Sequence, residues 1–193
     1  MVYHNYPLDY KPDWTPSSER YLQYAEVYKD AIQILLKEYM KNPPMHDYSL
    51  APILFLLRQY IELQLKGIIL QIASSHEVIQ EHDVLCLYER AHQMIEERYG
   101  LDELGVPNED AMKFIHSLGE FDRKAQAFRY PETSDGRDFF DGSIEMDPWL
   151  RDIIMSLPDL NGIAEKVIGD LEGIEGYLDI KKENEQESLA ARP

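Results

Sequence analysis

The segment that most constrains the fold is a nearly continuous apolar run at residues 50–73, LAPILFLLRQYIELQLKGIILQIA. It carries only three charges, Arg58, Glu62 and Lys66, each four residues after the one before. On an α-helix this spacing places the three side chains along one face, where neighbours are close enough to pair. A helix that is apolar on nearly every other face is buried, and buried charges are costly unless they are paired. The run therefore predicts a central helix facing a polar cleft inside an all-helical domain.

The composition indicates one soluble domain with an acidic surface. A chain of 193 residues that is 44% hydrophobic and 28% charged is long enough for one substantial core. Its 19 basic and 36 acidic residues give a net charge of −17. Residues 1–70 hold 7 basic and 8 acidic side chains, so nearly all of the acidic excess follows them. Such a surface repels phosphate backbones, which argues against broad, non-specific nucleic-acid binding.

Cysteine content and hydropathy favour a cytoplasmic protein that does not contact a membrane. The single cysteine, Cys86, excludes an internal disulfide, and we expect it to pack on an apolar helical face. The N-terminus lacks the charged and apolar regions of a signal peptide. Three charges and three glutamines within residues 50–73 argue against a transmembrane span. The histidines lack partners at metal-ligand spacing, so neither a metal nor a cofactor is predicted.

Local signals divide the chain into an extended arm at 1–16, a helical domain at 17–180 and a polar tail at 181–193. Thr15-Pro16 and Ser49 are suited to begin the first two helices, and the first is expected to end near Lys41. The third helix is expected to begin at a cap on Asp83 and to stop at Gly100. The fourth is expected to begin at a cap on Asn108 and to end near Ala127.

The last third of the chain predicts an irregular element and two more helices. Aromatic residues flank Asp135-Gly136, which indicates a small hairpin or irregular insertion near residues 128–141. Asp147-Pro148 begins a short helix that Pro158 interrupts. A final helix at about 160–180 is weakened by four glycines. We therefore predict an all-α, up-and-down bundle of five or six helices.

Polar residues from four places in the sequence could meet in such a bundle. Two arginines, a lysine and a histidine together would suit an anionic ligand such as a phosphate or a nucleotide. The four groups are Arg58–Glu62–Lys66, His82-Asp83, Asp122-Arg123 and Arg129-Tyr130-Pro131.

Each of these groups also has a purely structural interpretation. The Arg58–Glu62–Lys66 series could be a partly exposed ladder of ion pairs that contributes little to stability. His82 could be a helix-start residue without a ligand. Arg129 could bridge Asp122 and fix the following loop.

Three sequence motifs resemble those of the HEPN superfamily of prokaryotic helical proteins. They are LLRQYIELQLKGII, then EHDVLCLYERA, then EFDRKAQAFRYP, in the same order as in that group and over about residues 50–131. The resemblance implies an up-and-down helical bundle that often pairs into a dimer, with the polar residues at or near the dimer cleft.

The resemblance also implies a function. Many HEPN members are metal-independent RNases of toxin–antitoxin, abortive-infection and other anti-phage systems, while others are non-catalytic binding modules. The nucleases typically carry an Arg-x(4–6)-His motif late in the bundle, where the histidine is the acid or base and the arginine holds the phosphate. This chain departs from that pattern, because no histidine follows Arg123 or Arg129.

Three hypotheses follow for the function. In the first, Arg58, Lys66, His82 and Arg129 form an anion-binding cleft that acts on RNA or a nucleotide. Glu62 would then orient the cations, Tyr130 would stack a base, and His82 would be the acid–base group because histidine exchanges protons near neutral pH. In the second, the acidic half of the chain masks a basic partner, as an antitoxin, immunity or anti-defence factor would. In the third, the polar ladder only fixes helix register.

Overall fold

The structure is a computed structural model that describes residues 17–44, 50–73, 79–100, 107–130, 132–133, 135–139 and 144–190. These residues form six helices and contain no β-strand, which confirms the predicted all-α bundle. The helices are α1 (Ser17–Lys41), α2 (Ala51–Ala73), α3 (Val84–Tyr99), α4 (Glu109–Phe121), α5 (Pro148–Met155) and α6 (Leu157–Ala190). The predicted arm at 1–16 and the expected starts at Thr15-Pro16 and Ser49 lie outside the described residues.

Helix α2 lies at the centre of the bundle, as its apolar sequence predicts. It packs most extensively against α1 and also contacts α3 and α6. Buried side chains occur on every side of it, including Ile53, Tyr60 and Leu65. A helix surrounded by other helices has no exposed face for charged side chains, so its three charges are enclosed as well.

Side-chain caps fix three of the helix starts where the sequence predicts them. The Asp83 carboxylate accepts the amides of Leu85 and Cys86 at the start of α3. The Asn108 and Asp147 side chains cap α4 and α5 in the same way. Gly100 ends α3 with a φ of 78°, a conformation that a residue without Cβ adopts at little cost.

Helix α4 ends at Phe121, six residues before the expected end near Ala127. The reason is local: Asp122 holds the backbone amides of Gln126 and Ala127 on its side chain. A carboxylate that binds amides four and five residues ahead folds the chain into a turn instead of another helical turn. Ala125 has a φ of 56° in this turn.

Helix α6 is longer at both ends than its sequence predicts. It begins at Leu157, because Pro158 falls within the first turn, where no intrahelical N–H is required. It continues through the predicted polar tail to Ala190. Lysine, glutamate and glutamine are good helix formers, and an ion pair of 3.0 Å between Arg98 and Glu185 ties this extension to α3.

In the described part of the predicted insertion, a small turn carries a β-bridge between Glu132 and Asp138. The bridge is closed by backbone hydrogen bonds around Thr133 and Gly136. The expectation for Cys86 is wrong. Its side chain is exposed rather than packed, because α3 buries Val84, Leu87 and Tyr88 on its opposite face. Among the described residues, no helix has the length and apolarity that crossing a membrane requires.

Candidate functional site

The three charges of α2 form a fully enclosed ladder, which we call the charged ladder (Arg58, Glu62 and Lys66). The exposed fractions of these residues are 1%, 4% and 3%. Arg58 Nη1 and Lys66 Nζ each donate to the Glu62 carboxylate at 2.8 Å. The interpretation as a partly exposed ladder is therefore wrong, and the three side chains belong to the interior.

Glu62 is the common acceptor of three donors from two parts of the chain. Its Oε2 accepts from Arg58, and its Oε1 accepts from Lys66 and lies 2.8 Å from Nδ1 of His82. Burial alone would raise the pKa of Glu62, but the hydrogen bonds from Lys66, Arg58 and His82 outweigh it, and the pKa is lowered. Glu62 is therefore an ionised carboxylate at neutral pH.

Arg58 connects α2 to the chain segments that precede α3 and follow α4. Its Nη2 donates to the backbone carbonyl of His82, and its Nε lies 3.1 Å from Oδ2 of Asp122. The guanidinium presents several N–H groups in a fixed plane, so one side chain can address several acceptors at once. Arg58 thus brings three of the four polar groups that the sequence singles out into one network.

Asp122 closes this network from the end of α4. Its Oδ1 accepts the amides of Gln126 at 2.6 Å and Ala127 at 3.0 Å. Burial raises the pKa of Asp122, while those amides and the charges of Arg58 and Arg129 oppose the increase. The contact with Arg58 is an ion pair at short distance without a well-directed hydrogen bond, since Arg58 Nε and Asp122 Oδ2 have no hydrogen-bond partner among the described residues.

His82 is the one member of the network that solvent reaches. It immediately precedes the N-cap Asp83, and its own amide donates to the Glu81 side chain, so the backbone on both sides is fixed. Its side chain is 65% exposed although Nδ1 contacts the buried Glu62. Because an ionised carboxylate only accepts hydrogen bonds, we assign the proton of the neutral ring to Nδ1. Nε2 then carries the free lone pair.

Arg129 and Tyr130 form a separate exposed pair beyond the Asp122 turn. The Arg129 guanidinium lies over the Tyr130 ring, 5.2 Å from its centroid, and donates to the Tyr130 hydroxyl at 3.2 Å. The positive charge of Arg129 tends to lower the pKa of Asp122. Within the described residues, however, the ion pair of Asp122 is with Arg58 and not with Arg129. The suggested Arg129–Asp122 bridge is therefore absent, and Pro131 lies outside the described residues.

Two parts of the network were missed by the sequence reasoning. One is the His82 carbonyl, which accepts from Arg58 and could not be identified from residue types. The other is the set of amides held by Asp122, which a short-range signal could have indicated, since aspartate commonly binds backbone amides a few residues ahead in turns. Together they convert a ladder on one helix into a junction of three segments.

The site contains as many buried acids as buried bases. Arg58 and Lys66 are balanced by Glu62 and Asp122, so the interior carries no surplus positive charge. Across the part of the chain that the structure describes, no group of three or more His, Cys, Asp or Glu side chains is arranged to hold a metal ion. Comparison with known proteins found no matching family model, curated protein or solved structure.

Proposed function

We propose that this protein is a HEPN-like, metal-independent RNase or nucleotide-processing protein in which His82 is the acid–base group. The observation that carries the proposal is the contact of 2.8 Å between the buried Glu62 carboxylate and Nδ1 of an imidazole that is otherwise exposed. A buried acceptor on one ring nitrogen fixes the orientation and the tautomer, and it stabilises the imidazolium that forms when the other nitrogen takes a proton.

The chemistry that suits this arrangement is cleavage of RNA by its own 2′-hydroxyl. His82 Nε2 would take the proton from the 2′-oxygen as that oxygen attacks the adjacent phosphorus. The bond from phosphorus to the 5′-oxygen would break, and the leaving oxygen would take a proton from solvent. Neither metal nor cofactor enters these steps. Glu62 would act through His82 as a positioning residue and would not touch the substrate.

In this proposal, Arg129 and Tyr130 are the groups that meet the anion and the base. They are exposed, whereas Arg58 and Lys66 are enclosed and paired to carboxylates within the chain. An arginine over an aromatic ring can contact a phosphate while the ring stacks on a base. Arg58 and Lys66 would then hold Glu62 ionised rather than bind the ligand directly. The biological setting we propose, a prokaryotic toxin–antitoxin or phage-defence system, follows from the sequence resemblance.

The test is cleavage of total RNA and of a defined oligonucleotide by the purified protein in the presence of EDTA. His82→Ala removes an exposed ring, so it should leave folding unchanged while lowering the cleavage rate by about 100- to 10,000-fold. The matched control is His116→Ala, which removes another histidine that is not part of the Glu62 network. It should leave the rate unchanged, which would show that the loss in His82→Ala is specific to that residue, whereas a contaminating RNase would cleave equally in both variant preparations.

The products separate the proposed chemistry from other cleavage. Attack by the 2′-hydroxyl yields a 2′,3′-cyclic phosphate and a 5′-hydroxyl, which mass spectrometry of the oligonucleotide products identifies. Absence of cleavage by the folded wild-type protein, or equal cleavage by wild type and His82→Ala, would contradict the catalytic role of His82.

A second candidate, a non-catalytic partner of a basic protein, is supported by the groove between α1 and α6. The groove has a volume of about 340 Å³, and its charged lining residues are Glu19, Glu26, Glu175, Asp179 and Lys182. Burial raises the pKa of Glu175, the Gln64 hydrogen bond opposes this, and the neighbouring Asp179, Glu26 and Glu172 raise it further. Such crowding of negative charge would be relieved by a cationic group from a partner.

This candidate is tested with the charge reversal Glu175→Lys and a control reversal far along α6, Glu187→Lys. The probe is a synthetic peptide with alternating lysine and alanine, titrated by calorimetry at low salt. Tighter binding to wild type than to Glu175→Lys, with Glu187→Lys unchanged, would support an acidic docking groove. Equal binding to all three proteins would indicate attraction by net charge only and would contradict this candidate.

A further inference from the structure

A second cluster of titratable side chains lies where α3 packs on α4 beside α6, apart from the charged ladder. Tyr88 and His92 are four residues apart on one face of α3, and their ring centroids are 4.4 Å apart. The Tyr88 ring also meets the His116 ring of α4 edge-on, with 6.0 Å between centroids. The charge of Asp170 on α6 acts on both Tyr88 and His92. We call this set the histidine cluster (Tyr88, His92, His116 and Asp170).

The histidine cluster belongs to a tightly packed junction between helices. A Cβ on Gly119 of α4 would lie 2.7 Å from Leu85 Cβ of α3, so the two backbones approach closely one turn along each helix from the Tyr88–His116 contact. At the start of α4, Asp170 Oδ1 accepts the amide of Asn108 at 2.9 Å. These contacts hold the imidazoles of the cluster between helices whose separation is fixed on both sides.

Three polar atoms of the histidine cluster are buried without a hydrogen-bond partner among the described residues. They are Tyr88 Oη, His92 Nε2 and Asp170 Oδ2. Burial, and then the charge of Asp170, raises the pKa of Tyr88 to about 12, so its hydroxyl stays neutral. A neutral polar group costs much less to bury than a charged one. The packing of this junction therefore suits an uncharged His92 ring.

The surroundings of His92 also disfavour its protonation. Burial lowers its pKa below the ordinary value of 6.5; the Asp170 carboxylate opposes this, and His116 lowers the pKa further. Helix α2 packs on α3 as well, but its described part contributes no charge that acts on His92. Other charged groups on these helices are exposed and do not act on His92, among them Glu89 and Glu96 of α3 and the ion pair of Asp110 with Lys166 between α4 and α6.

We propose that the histidine cluster is a pH-sensitive switch that holds α3 against α4 at neutral pH and releases it in mild acid. When α3 separates from α4, the His92 ring is hydrated and regains its ordinary affinity for a proton. Opening then takes up a proton that the closed junction does not bind, so acid favours the open form. At neutral pH neither form holds this proton, and the junction stays closed.

The switch reaches the contact between Glu62 and His82 through the start of α3. His82 lies two residues before Val84, the first residue of α3, and Asp83 between them caps the helix. Opening of α3 would separate His82 from Glu62, so the site would be assembled at neutral pH only. The opening itself does not depend on the proposed acid–base chemistry of His82. It is also distinct from the titration of Glu62, because His92 acts in a window that begins near pH 6.5 and Glu62 acts below 4.5.

The first test is hydrogen exchange of the backbone amides of α3 at several pH values from about 7.5 down to about 5, corrected for the intrinsic pH dependence of exchange. An opening that takes up one proton becomes up to about tenfold more frequent for each pH unit, so the protection of α3 should fall by up to that factor per unit below pH 6.5. His92→Phe keeps an aromatic ring beside Tyr88 but binds no proton, and should remove this dependence. The control, His82→Ala, removes a histidine outside the cluster and should retain it.

The second test follows the His92 ring of the wild-type protein by NMR during an acid titration, which requires no variant. The ring should titrate below pH 6.5. Asp170→Asn keeps an oxygen that can accept the Asn108 amide but removes the opposing charge, and should lower the midpoint further. A His92 ring that titrates at or above pH 6.5, an α3 whose protection does not change with pH, or a pH dependence that survives His92→Phe would overturn the inference.

Discussion

Two clusters in this protein each contain one charged side chain between two of opposite sign, and the signs in one cluster are the reverse of those in the other. In α2 the Glu62 carboxylate lies between Arg58 and Lys66, at 2.8 Å from each. Between α1 and α6 the Lys29 ammonium lies between Glu26 and Glu172, at 2.7 and 2.5 Å. Burial distinguishes them, because the side chains of the first cluster are 2–5% exposed and those of the second are 16–56% exposed.

The difference shows how solvent decides what an ion pair contributes. Water can solvate any member of the Lys29 cluster that loses its partner, so its pairs contribute little to stability. The charged ladder is almost entirely shielded from solvent, so each charge there depends on the others and on Asp122. Burial lowers the pKa of Lys29, the contacts with Glu172 and Glu26 raise it, and the net direction is upward. The same chemistry is a surface contact in one place and a structural junction in the other.

The largest expected effect comes from neutralising the centre of each cluster. Glu62→Gln keeps the shape of the side chain but leaves two buried cations without their shared carboxylate, and should reduce the free energy of unfolding by about 3–5 kcal/mol. Lys29→Gln, the matched change in the exposed cluster, should reduce it by less than about 1 kcal/mol. Urea denaturation measures both. Similar losses in the two variants would contradict the contrast that burial creates.

Protonation of Glu62 at low pH should reproduce part of the stability loss caused by Glu62→Gln. The pKa of Glu62 is lowered in the folded protein from an ordinary value of 4.5, so its ionisation stabilises the fold above about pH 4.5, and this stabilisation is lost as the pH falls through the lower folded value. Asp122, whose pKa is raised, acts in the opposite direction.

We therefore expect the stability of wild type to fall more steeply below pH 4.5 than that of Glu62→Gln, as measured by urea denaturation at several pH values. The effect should be smaller than that of the substitution, because protonation in this range is incomplete. Parallel pH profiles for the two proteins would show that Glu62 is not preferentially ionised in the fold.

A smaller loss of stability should follow from adding a methyl group where α1 and α2 approach closely. A Cβ on Gly67 would lie 2.5 Å from Leu22 Cδ2 and 2.6 Å from its Cγ, so Leu22 must move. Gly67→Ala should therefore lower the free energy of unfolding by about 1–3 kcal/mol, as measured by chemical denaturation. An unchanged or increased stability would mean that α1 can shift away from α2 at little cost.

The smallest expected change is a gain in stability, from a substitution on α6. A Cβ on Gly173 would meet nothing within 4 Å, and alanine is a better helix former than glycine. Gly173→Ala should raise the free energy of unfolding by about 0.5–1 kcal/mol in the same assay. A loss of stability there would indicate a neighbour on α6 that the monomer lacks.

The sequence predicted elements better than it predicted their ends. The apolar run at 50–73 and the caps Asp83, Asn108 and Asp147 were correctly assigned, because burial and capping leave local signals. Helix α4 ends earlier than the sequence predicts, because the amide contacts of Asp122 depend on three-dimensional closure of the turn. Helix α6 extends beyond its predicted end, because an exposed helix of polar residues carries little hydrophobic pattern.

The same distinction applies to the site. Spacing alone predicted that Arg58, Glu62 and Lys66 share a face, and the structure adds that the face is enclosed. The contact between Glu62 and His82 joins residues that are twenty positions apart, one on α2 and the other just before α3. The spacing of the ladder residues does not predict this contact.

The most direct test of the account is the protonation of the His82 ring, read from its two ¹⁵N resonances by NMR at a pH where the ring is neutral. Free histidine favours the proton on Nε2. The buried Glu62 carboxylate should reverse this in wild type, giving a protonated Nδ1 and a bare Nε2, and Glu62→Gln should abolish the reversal. A His82 ring with its proton on Nε2 in the wild-type protein would contradict the claim that Glu62 positions it for acid–base chemistry.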